Sequence, residues 1–297
     1  MKKQTAEKLK AADRLKASRL KSMEFTSKIP LLRKKPLNDP IFIQQQKENE
    51  RKVFVQNYLD TTLKEFTDNI FSTTIPYGLF KGIHIDSFQD LQAGIAQKFL
   101  GIYEFEIAPF FNKLLANSKY DFFVDIGAAE GLYAIVFDRA IKKSGHPANI
   151  FAYEMEYCTR AMLRKRLADN NVSNAHILDE FSVATLEEID TTKRGFILSD
   201  CEGFEVELFT EANLSKFKNC DLIIETHDNF APNATQKVID VLSKTHNVER
   251  VNQQPLSAAL KLVTDNWFNS LSEEKRLSLL EGSRHPETRW VVATIKS

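Results

Sequence analysis

Acidic residues follow several short apolar runs of the sequence, and they are the residues best suited to chemistry. Runs of this kind are typical of strands buried on both faces of a parallel sheet, and the carboxyl ends of such strands open on one crevice. Carboxylates and a histidine clustered in a crevice are the usual sign of chemistry. The acids that end predicted strands are Asp125, Glu154, Asp200 and Glu225. We therefore expect these four to converge on one pocket.

The first of these acids precedes a glycine turn. The stretch Asp125–Gly131 reads D-x-G-x-x-x-G, where a dinucleotide-binding turn usually reads G-x-G-x-x-G. Apolar residues then recur at helical spacing over Leu132–Lys143, and Gly145 is a plausible stop. A carboxylate beside the turn suits a ligand that carries a cationic amino acid and a sulfonium better than one that carries two phosphates. S-adenosylmethionine is such a ligand.

Two further stretches are rich in titratable groups. The segment Asp200–Glu205 reads D-C-E-G-F-E, and Glu225–His227 reads E-T-H at the end of the fifth predicted strand. Together with Asp125–Gly131, which resembles motif I of the class I methyltransferases, these segments resemble the D-x-E-G-x-E and E-x-H signatures of the FkbM-type branch. The resemblance extends over about residues 100 to 295.

This resemblance implies a Rossmann-like class I methyltransferase fold: an α/β protein with a seven-stranded, mostly parallel sheet and an N-terminal helical extension. It also implies a set of residues that bind S-adenosylmethionine. Glu154 lies where a Rossmann unit has its ribose-binding acid, and Glu156 is its rival two residues further on. The implied cofactor-binding residues are Asp125, Gly127, Ala128, Glu130, Gly131, Glu154, Asp179 and Asp200.

Transfer of a methyl group to a hydroxyl also requires removal of the hydroxyl proton. His227 is the candidate base, or Asp200 if a neighbour raises its pKa, and Glu202 and Glu225 would orient the base or hold the acceptor. No tight ligand spacing indicates a metal site, although Asp200, Glu225 and His227 form a set that could hold Mg²⁺ or Mn²⁺. The acceptor expected from the resemblance is a small-molecule or sugar hydroxyl.

Composition bounds the class of protein. The chain of 297 residues is 43% hydrophobic and 27% charged, which is typical of a globular protein. It has no apolar run of the roughly 20 residues that a membrane span needs and no apolar signal segment, so we expect a cytoplasmic protein. Its three cysteines, Cys158, Cys201 and Cys220, lack metal-ligand spacing and are expected to be reduced.

Charge divides the chain unevenly. Residues 1–36 hold twelve Lys and Arg against three acids, a net of +9, so the neutral total hides an acidic remainder. We predict a basic arm and linker at 1–40, a helical cap region at 41–118 that includes helices over Ile41–Thr67 and Tyr103–Leu115, and the methyltransferase domain at 119–297. The arm could bind nucleic acid or an anionic membrane surface, or be a solvated tail. The alternatives to small-molecule methylation are therefore an RNA or protein methyltransferase that uses this arm, and a non-catalytic cofactor-binding or scaffold module.

Overall fold

The apolar runs form a seven-stranded sheet whose order is β3-β2-β1-β4-β5-β7-β6. Strands β1 to β5 are parallel, and β7 is antiparallel to both of its neighbours, β5 and β6. The predicted α/β fold with a mostly parallel seven-stranded sheet is confirmed. The strands are β1 Phe122–Ile126, β2 Asn149–Tyr153, β3 Ala175–Leu178, β4 Gly195–Ser199, β5 Cys220–His227, β6 His246–Asn252 and β7 Thr288–Ile295.

The structure, a computed structural model, describes residues 66, 68–70, 72–85, 94–117, 119–280 and 288–296. All of them belong to one compact unit, Leu59–Ser297. The predicted basic arm and its linker lie outside the described residues, as does the helix predicted over Ile41–Thr67 apart from Phe66.

Helices connect the parallel strands. The Leu132–Ser144 helix starts and ends within a residue of its prediction and stops at Gly145, whose left-handed φ of 69° suits glycine. No described helix has both the length and the apolar character that a membrane span requires. The α-helices are α1 Ile95–Leu100, α2 Ala108–Asn117, α3 Leu132–Ser144, α4 Tyr157–Asp169, α5 Glu205–Leu208, α6 Leu214–Phe217, α7 Ala234–Leu242, α8 Leu256–Ala259, α9 Asn266–Ser270 and α10 Glu273–Leu280.

The helix predicted over Tyr103–Leu115 begins later, at Ala108. Glu104 has a left-handed φ of 48°, which ends any helix there, and the backbone N–H of Ile107 donates to its carbonyl (3.1 Å). Residues 101–107 are therefore a turn that lies between α1 and α2.

Each face of the sheet packs on its own apolar core, because side chains alternate along a strand. Phe122, Val124 and Ile126 of β1 belong to one core, and Phe123 belongs to the other. The core around Phe123 also contains buried side chains that precede the sheet, such as Phe99 and Phe111. The segment before β1 therefore covers this face of the sheet.

Candidate functional site

Strand alternation brings most of the predicted acids to one face of the sheet. Ala152, Leu198 and Ile223 belong to the core that contains Phe123. Residues two positions apart in a strand lie on the same face, so Glu154, Asp200 and Glu225 lie on the face of Ala152, Leu198 and Ile223. Asp125 lies on the face of Phe123 for the same reason. Ser199 pairs with both Ile126 and Ile224, so Asp200 and Glu225 lie level beyond the end of β1. The period of two thus explains why acids far apart in sequence meet at one edge.

A cavity of about 790 Å³ opens at this edge, within the roughly 300–1,000 Å³ typical of small-molecule sites. The predicted site residues on its wall are Gly127, Glu130, Glu154, Asp179, Asp200, Glu202, Glu225 and His227. Asp125, Ala128 and Gly131 are not on the wall. The other lining residues include Gln97, Lys98, Tyr103, Glu104, Ala129, Met155, Glu180, Phe204 and Phe230.

The glycine turn after β1 fits tightly against β4. Gly127 has φ of 78°, and a Cβ added to it would overlap the carbonyl oxygen of Asp200. Gly131 has a different role, since a Cβ there would overlap the side chain of Leu163 in α4. The N–H groups of Gly127 and Ala128 both donate to the carbonyl of Tyr153 (3.0 and 2.8 Å). These two N–H groups therefore fix the turn on β2 and are not directed to a ligand.

Asp125 lies buried behind the turn. It is 2% exposed, and its Oδ2 has no hydrogen-bond partner among the described residues. Burial above all, then the charges of Asp200, Glu154 and Glu104, raise the pKa of Asp125 to about 8, and a hydrogen bond with the Ala134 backbone only partly offsets them. Asp125 therefore lies under the turn and not on the cavity wall. Its raised pKa favours the protonated acid near neutral pH.

Glu154 and Glu156, the two rivals for the end of β2, have different surroundings. Glu154 lies on the cavity wall, where the backbone N–H of Ala129 donates to its Oε2 (3.0 Å) and that of Glu156 donates to its Oε1 (2.8 Å). Glu156 instead caps α4 by accepting from the N–H of Thr159 (2.6 Å). Hydrogen bonds from Thr159 and Cys158 lower the pKa of Glu156. Its carboxylate therefore has a structural task away from the cavity.

His227 lies at the centre of an acidic cluster. Its side chain is 4% exposed, and Nδ1 lies 2.7 Å from Oε1 of the fully buried Glu205. Nε2 lies 3.6 Å from Asp200 Oδ1 and 3.5 Å from Glu202 Oε2. Burial lowers the pKa of His227, but the hydrogen bond and charge of Glu205, with the charges of Asp200 and Glu202, outweigh burial and raise it.

Asp200 links this cluster to the rest of the cavity. Burial and then the charge of Glu104 raise the pKa of Asp200 to about 7, although His227 and a hydrogen bond with Glu225 lower it. Oδ1 of Asp200 is buried without a hydrogen-bond partner in the described part of the chain. The pKa of Asp200 thus lies close to neutral pH, which is where a general base is most effective.

Three site features are missing from the sequence prediction. Glu205 is the last acid of the D-C-E-G-F-E segment, and its position three residues after Glu202 was the sequence signal that could have identified it as a site residue. Lys98, in α1, forms a buried ion pair with Glu130. Glu104 accepts a hydrogen bond from the hydroxyl of Tyr133. No pattern in the sequence joins α1 or Glu104 to the glycine turn, because these contacts depend on how the segment before β1 packs.

The described cavity wall has an excess of negative charge. Its cationic side chains are Lys98, which pairs with Glu130, and His227, which pairs with Glu205. Like charges in a desolvated site repel one another, so a cationic ligand is favoured over an anionic one. The acids on the wall are Glu104, Glu130, Glu154, Asp179, Glu180, Asp200, Glu202 and Glu225.

Among the described residues, one set of side chains could hold a divalent cation. Ligand atoms of Asp200, Glu202 and His227 lie within 4.8 Å of one another. The set differs from the one expected from the sequence, because Glu202 replaces Glu225. Glu202 and Glu225 differ in exposure: the side chain of Glu202 is 74% exposed, whereas Glu225 is buried.

Comparisons with known proteins give distant matches only. No protein-family model matches the chain, and no curated protein matches it. A precorrin-6y C5,15-methyltransferase from Geobacter metallireducens is 14% identical, with 64% of this chain and 89% of that chain covered at a TM-score of 0.41. The O-methyltransferase TomG from Streptomyces achromogenes, solved in complex with SAM, is 11% identical, with 64% and 81% covered at 0.43. An rRNA methylase from Streptococcus thermophilus is 10% identical, with 64% and 97% covered at 0.43. At these scores the likeness carries no argument about function.

Proposed function

We propose that the protein is an S-adenosylmethionine-dependent methyltransferase that acts on a hydroxyl of a small molecule. The observation that carries this proposal is the acid-rich cavity at the carboxyl edge of the sheet, with Glu154 held at one end and His227 at the other. The excess of acids suits a ligand that carries a positive sulfonium and a positive ammonium. The FkbM-type resemblance of the same segments supports the assignment.

The adenosyl end of the ligand is assigned to the side of the cavity at β2 and β3. Glu154 already accepts two backbone hydrogen bonds. An ionised carboxylate has about four acceptor positions, so its remaining capacity suffices for the two hydroxyls of a ribose. Asp179 follows β3 and is exposed on the cavity wall, where its carboxylate can accept from the amino group of adenine. Gly127 lies on the cavity wall beside these residues, where its turn fits closely against the Asp200 backbone.

The reacting end is assigned to the side of the cavity at β4 and β5. When bound, S-adenosylmethionine would supply a methyl group whose carbon an aligned oxygen lone pair can attack, with the neutral thioether as the leaving group. Alignment alone supplies a large share of such an acceleration. His227 takes the acceptor proton on Nε2, because Nδ1–H donates to Glu205 and leaves the lone pair of Nε2 facing the cavity. Since the surrounding acids raise the pKa of His227, activity should increase with pH as Nε2 loses its proton.

The mouth of the cavity favours an acceptor with apolar surface. Met155, Phe204 and Phe230 line the cavity and are among the exposed large hydrophobic residues of the described chain. The segment at 94–104 also contributes to the wall, which is the role that we propose for the cap region. Acids on the wall disfavour a phosphorylated acceptor, so a neutral hydroxylated compound is the best match.

Calorimetry with S-adenosylmethionine tests the proposal, with Glu154→Gln and Glu156→Gln as a matched pair. Loss of a charged acceptor of ribose hydroxyls should weaken binding by about 10- to 100-fold in Glu154→Gln. Glu156→Gln, with the same change two residues away, should bind like the unmodified protein. Absence of binding to the unmodified protein would reject the enzyme proposal in favour of a scaffold module.

A labelled methyl donor then identifies the acceptor. Hydroxylated small molecules should be methylated, and RNA should not be; methylation of RNA that is lost when residues 1–36 are removed would instead support the nucleic-acid alternative. Assays after chelation and after addition of Mg²⁺ or Mn²⁺ test the metal alternative at Asp200, Glu202 and His227. Unchanged activity after chelation is expected if Nε2 of His227 acts as the base.

A further inference from the structure

Lys98 is a buried lysine on the cavity wall that takes no part in the proposed methyl transfer. It lies in α1 and is 3% exposed. Its ammonium forms an ion pair with Glu130, which is 2% exposed, and lies 4.6 Å from the centre of the Tyr103 ring. Removing an ammonium from water to this extent is costly unless anionic partners surround it.

The ion pair uses only part of the hydrogen-bonding capacity of Lys98. An ammonium has three N–H donors and no acceptor. Glu130 is the one described residue that accepts a hydrogen bond from this ammonium. The face of the Tyr103 ring attracts the positive charge but is not a hydrogen-bonding oxygen. Donors of Lys98 therefore remain for a second anionic group that binds in the cavity.

The charges of the described wall make Lys98 the favoured place for an anionic part of a ligand. The other side chain there that can carry a positive charge is His227. Its Nδ1 contacts Glu205 at 2.7 Å, and its Nε2 lies within 3.6 Å of Asp200 and Glu202. Three acids thus surround His227, whereas one acid contacts Lys98. A ligand carboxylate is therefore attracted to Lys98 and repelled by the acids elsewhere on this wall.

The glycine turn connects Lys98 to the acid that is assigned to the ribose. The backbone N–H of Ala129 donates to Oε2 of Glu154 (3.0 Å), and the next residue, Glu130, forms the ion pair with Lys98. All four residues lie on the cavity wall. In S-adenosylmethionine a short chain through the sulfur joins the ribose to an amino acid, which carries the one carboxylate of the ligand. Lys98 thus borders the turn on which the ribose is placed.

We propose that Lys98 binds the carboxylate of S-adenosylmethionine and that Glu130 holds the lysine in position. The assignment rests on the proposed function and deepens it, because the amino acid end of the ligand receives its own part of the wall. Lys98 is thus a specificity-determining residue. It selects a methyl donor that has the carboxylate over one that lacks it.

Two ligands that differ only in the carboxylate test this assignment. Decarboxylated S-adenosylmethionine keeps the adenosyl group, the sulfonium and the ammonium, and its net charge is more positive. Without a partner for the carboxylate, the acid-rich wall would therefore favour the decarboxylated ligand. In calorimetry the unmodified protein should instead bind S-adenosylmethionine about 10-fold or more tightly than the decarboxylated ligand, because a charged hydrogen bond is gained. In Lys98→Gln this preference should be lost or reversed, and binding of the decarboxylated ligand shows that the variant is folded.

Glu130→Gln is the matched control, because it breaks the same ion pair from the other side and keeps the lysine. If the pair only ties α1 to the turn, either variant should weaken both ligands alike. The subsite predicts that Glu130→Gln retains the preference for S-adenosylmethionine and that Lys98→Gln does not. Lys98→Met, whose apolar side chain suits a buried position, takes the place of Lys98→Gln if that variant does not fold.

The outcomes separate the subsite from the proposed function. Equal affinities of the unmodified protein for the two ligands would overturn the subsite while the proposed function stands. A preference that survives in Lys98→Gln or Lys98→Met, or that Glu130→Gln also abolishes, would do the same. If the unmodified protein binds neither ligand, the proposed function fails and the subsite fails with it.

Discussion

Asp221 and the acids at the carboxyl edge lie at opposite ends of the same sheet and have very different surroundings. Asp221, near the start of β5, is 1% exposed and accepts hydrogen bonds from the Tyr120 hydroxyl (2.8 Å) and the Ile295 backbone (3.0 Å). Arg194 also forms an ion pair with it. At the carboxyl end, buried oxygens of Asp125, Asp200 and Glu205 have no hydrogen-bond partner among described residues.

This difference distinguishes an acid whose oxygens are satisfied by the fold from acids that crowd together at the edge where the cavity opens. A buried carboxylate with donors on both oxygens stabilises the fold, because each lone pair that leaves water finds a new partner. Acids that crowd together without such donors destabilise the free protein, and such an arrangement is typical of functional sites. Replacing a carboxylate with an amide should therefore lower the free energy of unfolding at one end of the sheet and raise it at the other.

The largest expected effect is that of Asp221→Asn. The amide keeps the shape of the carboxylate but removes the charge that balances Arg194, and its NH₂ group faces donors. We expect the free energy of unfolding to fall by about 3 kcal/mol. Urea denaturation measures this loss. Affinity for S-adenosylmethionine should be unchanged, and a large loss of affinity without loss of stability would contradict the structural role.

Asp125→Asn should have the opposite sign. The pKa of Asp125 is raised from 3.8 to about 8, so the folded state binds this proton more tightly than the unfolded state. Stability from this group is thus fully present below about pH 4 and is lost as the pH rises towards 8. Asn mimics the protonated acid, so the variant should gain about 2 kcal/mol or more at pH 8 and little at pH 4.

Urea denaturation of both proteins at pH 4, 6 and 8 checks the sign. The unmodified protein should lose stability relative to Asp125→Asn as the pH rises. A variant that is less stable at pH 8 would show that Asp125 is ionised and satisfied, and the contrast with Asp221 would fail.

The strands were predictable because their signals are local. The apolar run before Asp200 has the bounds of β4, Gly195–Ser199, since an apolar segment that ends at an acid specifies both burial and the strand end. Strand parity also placed Glu154, Asp200 and Glu225 on one face. The burial of Asp125 was harder to predict. The alternating pattern tells which face of the strand a side chain lies on, but it does not tell whether that side chain lines the cavity or is buried under the turn.

The wall formed by Lys98 and Glu104 could not be predicted. Its position depends on packing of the segment before β1 against the sheet, and the left-handed Glu104 breaks the helical pattern from which Tyr103–Leu115 was predicted. Glu205 was visible in the sequence, but its importance depends on its 2.7 Å contact with Nδ1 of His227. Contacts across 22 or more residues of chain leave no mark in a local pattern.

The smallest expected effect is a change in the pKa of His227 itself. Glu205 raises this pKa more than Asp200 or Glu202, through both a hydrogen bond and charge, so Glu205→Gln should lower it most. Glu202→Gln should lower it less, because the side chain of Glu202 is 74% exposed and its charge is screened by water. NMR titration of the imidazole in metal-free protein measures both shifts. A larger shift in Glu202→Gln than in Glu205→Gln would mean that His227 is held from the cavity side, and that its Nε2 is not the atom available to take a proton.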